Sequence, residues 1–305
     1  MPCTRPLDAW KLNGKVIFER PASAEGVSVQ VTLPCGGCIG CRLMHAQEWA
    51  TRIKHEAKMH QENSFLTLTY ANEHLPQFGS LNYPDFQAFM KSLRQALRPK
   101  KLRFFMCGEY GDTTKRAHYH CILFGWMPQD GTVFTESRSG NTIYNSEFLA
   151  KHWRLGHINF SVFEPGAAEY IARYVTKKIT GEPASKHYLG LDTETGEIGP
   201  RKPEFAIMSR RPGIGATWFD QYFDTDIDPF DSVTAEGGAT SKVPRYYDKL
   251  TAKRYGESVV KRKKRLRVQS AKEKSKRDTR SLIYGREATA ANHNARLGQM
   301  KRETF

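Results

Sequence analysis

The sequence predicts an α+β fold in which a central antiparallel sheet is flanked by helices. Three observations carry this expectation. Short runs rich in β-branched and aromatic residues recur at SFLTLTY (Ser64–Tyr70), KLRFFMCGEY (Lys101–Tyr110), AHYHCILFGW (Ala117–Trp126) and HINFSVF (His157–Phe163), and each reads as a strand. Segments with helical spacing are interleaved with these runs. Two of the runs are separated only by GDTTKR, a link too short for a parallel crossover, so they pair antiparallel.

Taken in order, residues 1–40 are rich in Gly, Pro and Cys and read as irregular. RLMHAQEWATRIKHEAKMHQ (Arg42–Gln61) has helical spacing. YPDFQAFMKSLRQALR (Tyr83–Arg98) is a second helix, with Pro84 at its start and a Phe/Met/Leu stripe along one face. After the hairpin comes a polar loop, then a short helix near Ser146–Trp153, and a further helix opens near Pro165. Beyond Lys178 the chain reads as loop-rich until FAIMSRRPGIGATWFDQYF (Phe205–Phe223), where a Gly-X-Gly turn leads into an aromatic helix start. Backbone N–H groups at such a turn can meet a phosphate, and a tight structural turn fits the same residues. It is not a Walker A loop, because no Gly-Lys-Ser/Thr follows. There is no internal repeat. The hairpin and the short strands favour an antiparallel α+β sheet over a doubly wound one. The expected organisation is a Cys-rich N-terminal segment over 1–41, a main α+β domain over 42–240 and a basic C-terminal tail over 241–305.

The charge is uneven. Of 47 Lys and Arg and 32 Asp and Glu, residues 241–305 hold 20 against 6, and the first 240 hold 27 against 26. The tail, which includes KRKKRLR (Lys261–Arg267), has few apolar residues and is not expected to form a core of its own. Such a segment binds a polyanion through counterion release, without reading sequence, and a solvated solubility tail fits the same residues. It lacks a Trp/Phe/Leu face, which favours nucleic acid over a membrane surface. No stretch has the length or pattern of a leader or a membrane span, so the chain reads as soluble and not exported.

On AHYHCILF the two-residue period of a strand sends His118 and His120 to one face and Tyr119 to the other. Glu109 on the preceding strand comes beside them if the two strands pair. Two imidazoles and a carboxylate with open positions suit Mn²⁺, Mg²⁺ or Zn²⁺ in a catalytic site. In EYIARYVTKK (Glu169–Lys178), Tyr170 and Tyr174 share one helix face, and Lys177 and Lys178 continue it. Each pattern alone fits packed, hydrogen-bonded side chains. Their order and setting carry the functional reading.

Cys35, Cys38 and Cys41 form a C-x2-C-x2-C cluster just before a helix. Cys3 and His45 both qualify as a fourth ligand. Structural Zn²⁺ is the leading reading. A ferredoxin-type Fe–S cluster would want a further Cys-Pro where Met44 and His45 stand, and reduced, unliganded thiols are the third possibility. Cys107 and Cys121 sit on predicted strands and read as core residues.

FLTLTY, AHYHCILF and YIARYVTKK resemble, in order, the three motifs of the rolling-circle replication initiators called HUH endonucleases (His-hydrophobe-His). PCGGCIGCR, RFFMCGEYG, MSRRPGIGATWF and VPRYYDKL are similar to phrases of replication initiation proteins in the gokushovirus branch of the Microviridae. The resemblance covers roughly residues 33–250. It implies a central antiparallel sheet of the ferredoxin/RRM-like type carrying the histidines, with the tyrosine helix packed across it. It puts His118 and His120 on the metal pair, with Glu109 as the third ligand for Mg²⁺ or Mn²⁺. It puts Tyr170 and Tyr174 on the two nucleophiles and Lys177 on the motif lysine, with Lys178 an added cation on the same face.

The implied function is a site-specific endonuclease and strand transferase. Tyrosine attack at a single-stranded phage origin would leave a 5′-phosphotyrosine, and a later attack would rejoin the strand. Arg210, Arg211, Lys261, Arg262, Lys263, Lys264 and Arg265 are the expected DNA contacts. A host helicase and DNA polymerase are the expected partners, in the cytoplasm of the bacterial host. Two other readings fit the residues, a non-catalytic phage DNA-binding protein and a metal-dependent nuclease that activates water.

Overall fold

In this computed structural model the residues described are 3–21, 28–111, 114–137, 140–175, 182–192, 195–228, 230–234, 238 and 240–275, with isolated positions beyond. Contacts divide the chain into two units, one built on Met1–His45 and Lys264–Gln299 and the other on Ala46–Lys263 and Met300–Phe305.

The first unit begins with a three-stranded antiparallel sheet, β1 (Leu7–Leu12), β2 (Lys15–Ile17) and β3 (Ser28–Leu33), in the order β2–β1–β3. This corrects the expectation of irregular structure over residues 1–40. The alternation that identifies a half-buried strand is missing here, because among the described residues of the three strands only Ala9 is buried. Helix α1 (Ile39–Lys58) starts in this unit and continues into the second.

The second unit is organised on a seven-stranded sheet. Its members follow in chain order with their helices: β4 (Asn63–Tyr70), α2 (Tyr83–Ala96), β5 (Arg103–Tyr110), β6 (Ala117–Phe124), β7 (Thr132–Glu136), β8 (Thr142–Asn145), α3 (Glu147–His152), β9 (Gly156–Val162) and α4 (Pro165–Tyr174). Then come α5 (Pro183–His187), β10 (Leu189–Leu191), β11 (Ile198–Pro200), β12 (Phe205–Met208), α6 (Ala216–Tyr222), β13 (Ser232–Thr234), β14 (Thr240–Lys242), α7 (Arg245–Tyr255) and α8 (Glu257–Ser275), whose residues from Lys264 on belong to the first unit. The spatial order of the large sheet is β12–β5–β6–β4–β9–β8–β7, and every neighbouring pair is antiparallel. The expected α+β class, an antiparallel sheet flanked by helices, is what the chain adopts.

Alternation along the central strands splits the sheet into two faces, each with its own helices. Leu66 and Leu68, Tyr119 and Cys121, and Phe104 and Met106 point to the face covered by α2 and α3. Helix α2 fits there because Phe86, Phe89, Met90 and Leu93 recur at one-turn spacing and are all buried, each contributing roughly 1.5–3 kcal/mol. Ser146 caps α3 by accepting from the Leu149 N–H at 3.1 Å. The opposite face carries Phe65, Phe105, Cys107 and Ile122, and it is covered by the stripe Ala46, Ala50, Ile53 and Ala57 of α1 and by Ala168, Ile171 and Ala172 of α4. These small residues let the two helices approach the strands closely.

Two further expectations are corrected. The polar loop after the hairpin contains β7 and β8, which extend the sheet; β7 is exposed along its length, as an edge strand can be. The loop-rich stretch before Phe205 contains the β10–β11 pair. Within the basic tail, Arg245–Tyr255 and Glu257–Ser275 are helical. Among the described residues no helix is long and apolar enough to cross a membrane.

Candidate active site

The β5–β6 register pairs Glu109 with His118, and the β4–β6 register pairs Thr67 with His120. Directly opposed residues share a face, so Glu109, His118, His120 and Thr67 all project toward the side that α4 covers. Nε2 of His118 lies 2.8 Å from Glu109 Oε1, and Nε2 of His120 lies 3.2 Å from the same oxygen. Glu109 and His120 are 3% and 2% exposed, so this carboxylate and imidazole meet almost out of water.

The far nitrogens of both rings are occupied. His118 Nδ1 donates to the Arg116 carbonyl at 3.1 Å, and His120 Nδ1 is 3.1 Å from the Thr67 hydroxyl. An imidazole anchored through Nδ1 has its Nε2 aimed into the site, which is the orientation that outer hydrogen bonds impose on metal-ligating histidines. Burial opposes ionisation of Glu109, yet the hydrogen bonds and charges of His118 and His120 hold its carboxyl well below the usual carboxylate range.

Helix α4 brings the phenols. Its first turn is fixed by Pro165, and Lys54 on α1 pairs with Glu169 at 2.9 Å. The Tyr170 hydroxyl is 2.8 Å from His120 Nε2. Tyr174, one turn on, stacks on the same imidazole with ring centroids 5.8 Å apart and meets Tyr170 edge-on at 5.1 Å. Burial, then the Tyr170 hydroxyl and the Glu109 carboxylate, push the Tyr174 phenol well above its ordinary range. Phe65 also stacks on His120, with centroids 5.3 Å apart.

One atom each of Glu109, His118 and His120 lies within 4.8 Å of the others, so this group can hold a metal ion. The donor chemistry fits a divalent cation: two nitrogens, one oxygen, a negative charge to neutralise, and positions left for substrate. Thr67, Phe65 and the Arg116 carbonyl were not singled out from the sequence. A strand's period of two puts Thr67 on one face with Phe65, and the β4–β6 register brings Thr67 against His120.

Lys177 and Lys178 fall outside the described residues. Arg210, Arg211, Lys261, Arg262, Lys264 and Arg265 are exposed. Lys263 was grouped with them, but its side chain turns inward, 9% exposed, with Nζ 2.9 Å from Asp228 and over the Phe223 ring. The helical period sets it on a different face from Lys261 and Arg262. At the Gly-X-Gly turn the Gly215 N–H donates to Glu56 at 2.7 Å, and the Ile214 and Pro212 carbonyls accept from Arg52 and Arg103. That N–H is therefore committed within the fold. Cys3, Cys35, Cys38 and Cys41 converge in the first unit with all four sulfurs within 4.8 Å, so Cys3 completes the cluster.

The family model for the replication-associated protein ORF2/G2P matches residues 63–179. The chain is 31% identical over 266 residues to the replication-associated protein VP4 of Bdellovibrio phage phiMH2K, covering 84% of this chain and 79% of that protein. It is 30% identical over 271 residues to the replication-associated protein ORF2 of Spiroplasma virus 4, covering 82% and 80%. It is also 30% identical over 232 residues to the replication-associated protein ORF4 of Chlamydia phage 1, covering 74% of this chain and 55% of that protein. No solved structure matches. The matched region contains the Glu109, His118 and His120 group and both tyrosines of α4.

Proposed function

Since this chain belongs to the replication-associated proteins of Microviridae-type phages, we propose that it initiates rolling-circle replication by nicking single-stranded origin DNA with a tyrosine. One observation carries the reading. The Tyr170 hydroxyl lies 2.8 Å from the imidazole nitrogen of His120 that also faces Glu109, so a nucleophile and a three-donor metal group share one spot.

A phenol with an ordinary pKa near 10 needs help to attack phosphorus. Mg²⁺ or Mn²⁺ held by Glu109, His118 and His120 would withdraw charge from the phosphoryl oxygens as the reaction proceeds. The chain's own residues do the positioning. Thr67 and the Arg116 carbonyl fix the two imidazoles, and Phe65 and Tyr174 both stack on the His120 ring. Tyr170 Oη forms a bond to the scissile phosphorus and the bond from phosphorus to the 3′ oxygen breaks. The phenol proton leaves to water, and the departing 3′ oxygen takes a proton from water. The products are a 5′-phosphotyrosine and a free 3′-OH. One phosphodiester replaces another, so the step can run backwards and rejoin a strand.

Tyr174 then has a use. After one round the regenerated junction must be cut while the first tyrosine still holds the old 5′ end, and a second phenol one helical turn away can cut it. Lys177 and Lys178, next along the chain, are assigned to charge stabilisation of the phenolate or the leaving oxygen. The exposed Arg210, Arg211, Lys261, Arg262, Lys264 and Arg265 are assigned to phosphate contacts along the unpaired strand. In this reading residues 42–240 form the nicking domain. A host helicase unwinds the duplex, and a host polymerase extends the 3′-OH in the bacterial cytoplasm.

The test uses single-stranded oligonucleotides tiling the phage origin, labelled at either end and incubated with the full chain and Mn²⁺ or Mg²⁺. A denaturing gel should show a protein adduct that survives boiling in SDS, carries the 3′ label and is accompanied by a released 5′-labelled fragment. Cleavage without an adduct would assign the site to a water-activating nuclease, and binding without cleavage would make the chain a DNA-binding protein only.

A further inference from the structure

We propose that Cys3, Cys35, Cys38 and Cys41 form a closed tetrathiolate zinc site, separate from the nicking centre, which fastens the N-terminal segment to the start of α1. The inference goes beyond the nicking reading and does not depend on it.

The spacing of the sulfurs is the first argument. Zinc bound by thiolates lies about 2.3 Å from each sulfur, so neighbouring sulfurs around a tetrahedral ion stand about 3.8 Å apart. Cys3 Sγ lies 3.6 Å from Cys35 Sγ and 3.7 Å from Cys38 Sγ, and all four sulfurs fall within 4.8 Å of one another. A disulfide would need about 2.05 Å, and all four cysteines are free thiols. A cubane cluster, in which each thiolate takes a different iron, would spread the sulfurs further apart. Four protein donors around one point leave no position open, which marks a structural site rather than a catalytic one.

The backbone is arranged for the same purpose. The Cys38 N–H points at Cys35 Sγ at 3.3 Å, and the Cys35 N–H at Cys3 Sγ at 3.4 Å. Such donors favour the thiolate over the thiol. The turn between Cys35 and Cys38 needs a residue with φ of +76° at Gly36, where L side chains are strained. The Cys38 carbonyl then accepts the Arg42 N–H at 3.0 Å, opening α1. Cys41 thus sits in the first turn of a helix of 20 residues, on its positive end.

The third argument is need. The sheet β1–β3 lies between Cys3 and Cys35 in the chain, and its strands bury only Ala9 among their described residues. A three-stranded sheet with so little apolar burial does not hold itself together in water, and small units of this kind rely on metals or disulfides. An ion gripped by residues 3, 35, 38 and 41 would close the loop that contains the sheet.

The test is metal analysis of the full chain purified without added metal and dialysed against EDTA, which strips a three-donor site readily. One zinc per chain should remain, and p-hydroxymercuribenzoate should release it, as read with a colorimetric zinc indicator. The His118→Ala/His120→Ala variant should keep that zinc, and Cys38→Ser should lose it. Chain refolded with Co²⁺ should show the intense thiolate-to-cobalt band and the visible d–d bands of a tetrahedral tetrathiolate, a readout that survives even if Cys38→Ser fails to fold. Less than a tenth of a zinc per chain with four freely reacting thiols in this region, a disulfide among them, or iron with its visible charge-transfer colour would each overturn the assignment.

Discussion

The Tyr170 hydroxyl lies 2.8 Å from Nε2 of His120, and one helical turn on, the Tyr174 ring stacks on that same imidazole with centroids 5.8 Å apart. The two phenols are therefore not equivalent. Tyr170 meets the nitrogen that faces Glu109, whereas Tyr174 covers the flat side of the ring and touches Tyr170 edge-on. Two tyrosines at one-turn spacing can look interchangeable in a sequence, but these two meet His120 in different ways.

The first prediction follows from that asymmetry. Tyr170→Phe should slow the first adduct-forming turnover by about 10²-fold, the usual cost of displacing a reacting atom by an ångström. Tyr174→Phe should leave the first turnover within a few fold of wild type and impair strand rejoining. The double variant should form no adduct. Single-turnover gels with end-labelled oligonucleotide measure all three, and an adduct from the double variant would remove the tyrosine chemistry altogether.

Glu109→Gln tests the metal group. The substitution keeps the shape of the side chain and removes a formal negative charge that faces the two imidazoles. Mn²⁺ affinity should fall by at least the 10- to 100-fold, roughly, that outer-sphere changes already cost. Titration followed by Mn²⁺ EPR checks it without any DNA present. Unchanged affinity would place the cation elsewhere.

Thr67 acts on His120 from behind. Thr67→Val keeps the volume of a residue that is 5% exposed and removes the hydroxyl 3.1 Å from Nδ1. A buried ring nitrogen would then lack its partner, costing about 1–3 kcal/mol of stability. Mn²⁺ binding should weaken by about 10- to 100-fold, and Thr67→Ser should restore both. The readouts are urea unfolding and Mn²⁺ EPR. Loss of stability with unchanged Mn²⁺ affinity would make Thr67 a packing residue only.

What the sequence made legible and what it concealed follow from separate physical causes. The β5–β6 hairpin could be read because a six-residue link and strong alternation leave one way to pair, and it aligns Glu109 with His118. Thr67 could not be read as a partner of His120, because β4 enters between β6 and β9 and no local feature announces that neighbour. The β1–β3 sheet was hidden because almost nothing in it is buried, so the apolar signal of a strand was absent. Lys263 looked like one more cation in a basic run, yet the helical period turns it toward Asp228. The Gly-X-Gly turn offered N–H groups to a phosphate on paper, and a distant carboxylate, Glu56, claims the Gly215 N–H.

A pH prediction concerns the joint between α1, α6 and α7. His55 is 3% exposed, stacks on Trp218 at 3.5 Å and places Nδ1 2.8 Å from the Tyr247 hydroxyl. Burial, then the charges of Lys58 and Lys54, lower its pKa to about 3. The ring is therefore neutral in the folded protein down to that pH, while in the unfolded chain it titrates near 6.5. Above the unfolded value neither state binds the proton and His55 adds no slope. Between 6.5 and about 3 the unfolded state binds the extra proton, so stability falls as pH falls, by up to about 1.4 kcal/mol per pH unit for this one group. Glu56, whose carboxyl is buried yet held below its usual range by His60, Arg103 and the Gly215 N–H, gives way only at lower pH. Urea unfolding at pH 7.5, 6.0 and 5.0 should thus show a loss in wild type that is shallower in His55→Asn, whose amide can still meet Tyr247. Equal slopes in the two proteins would mean that His55 carries a proton in the fold, contrary to its packing.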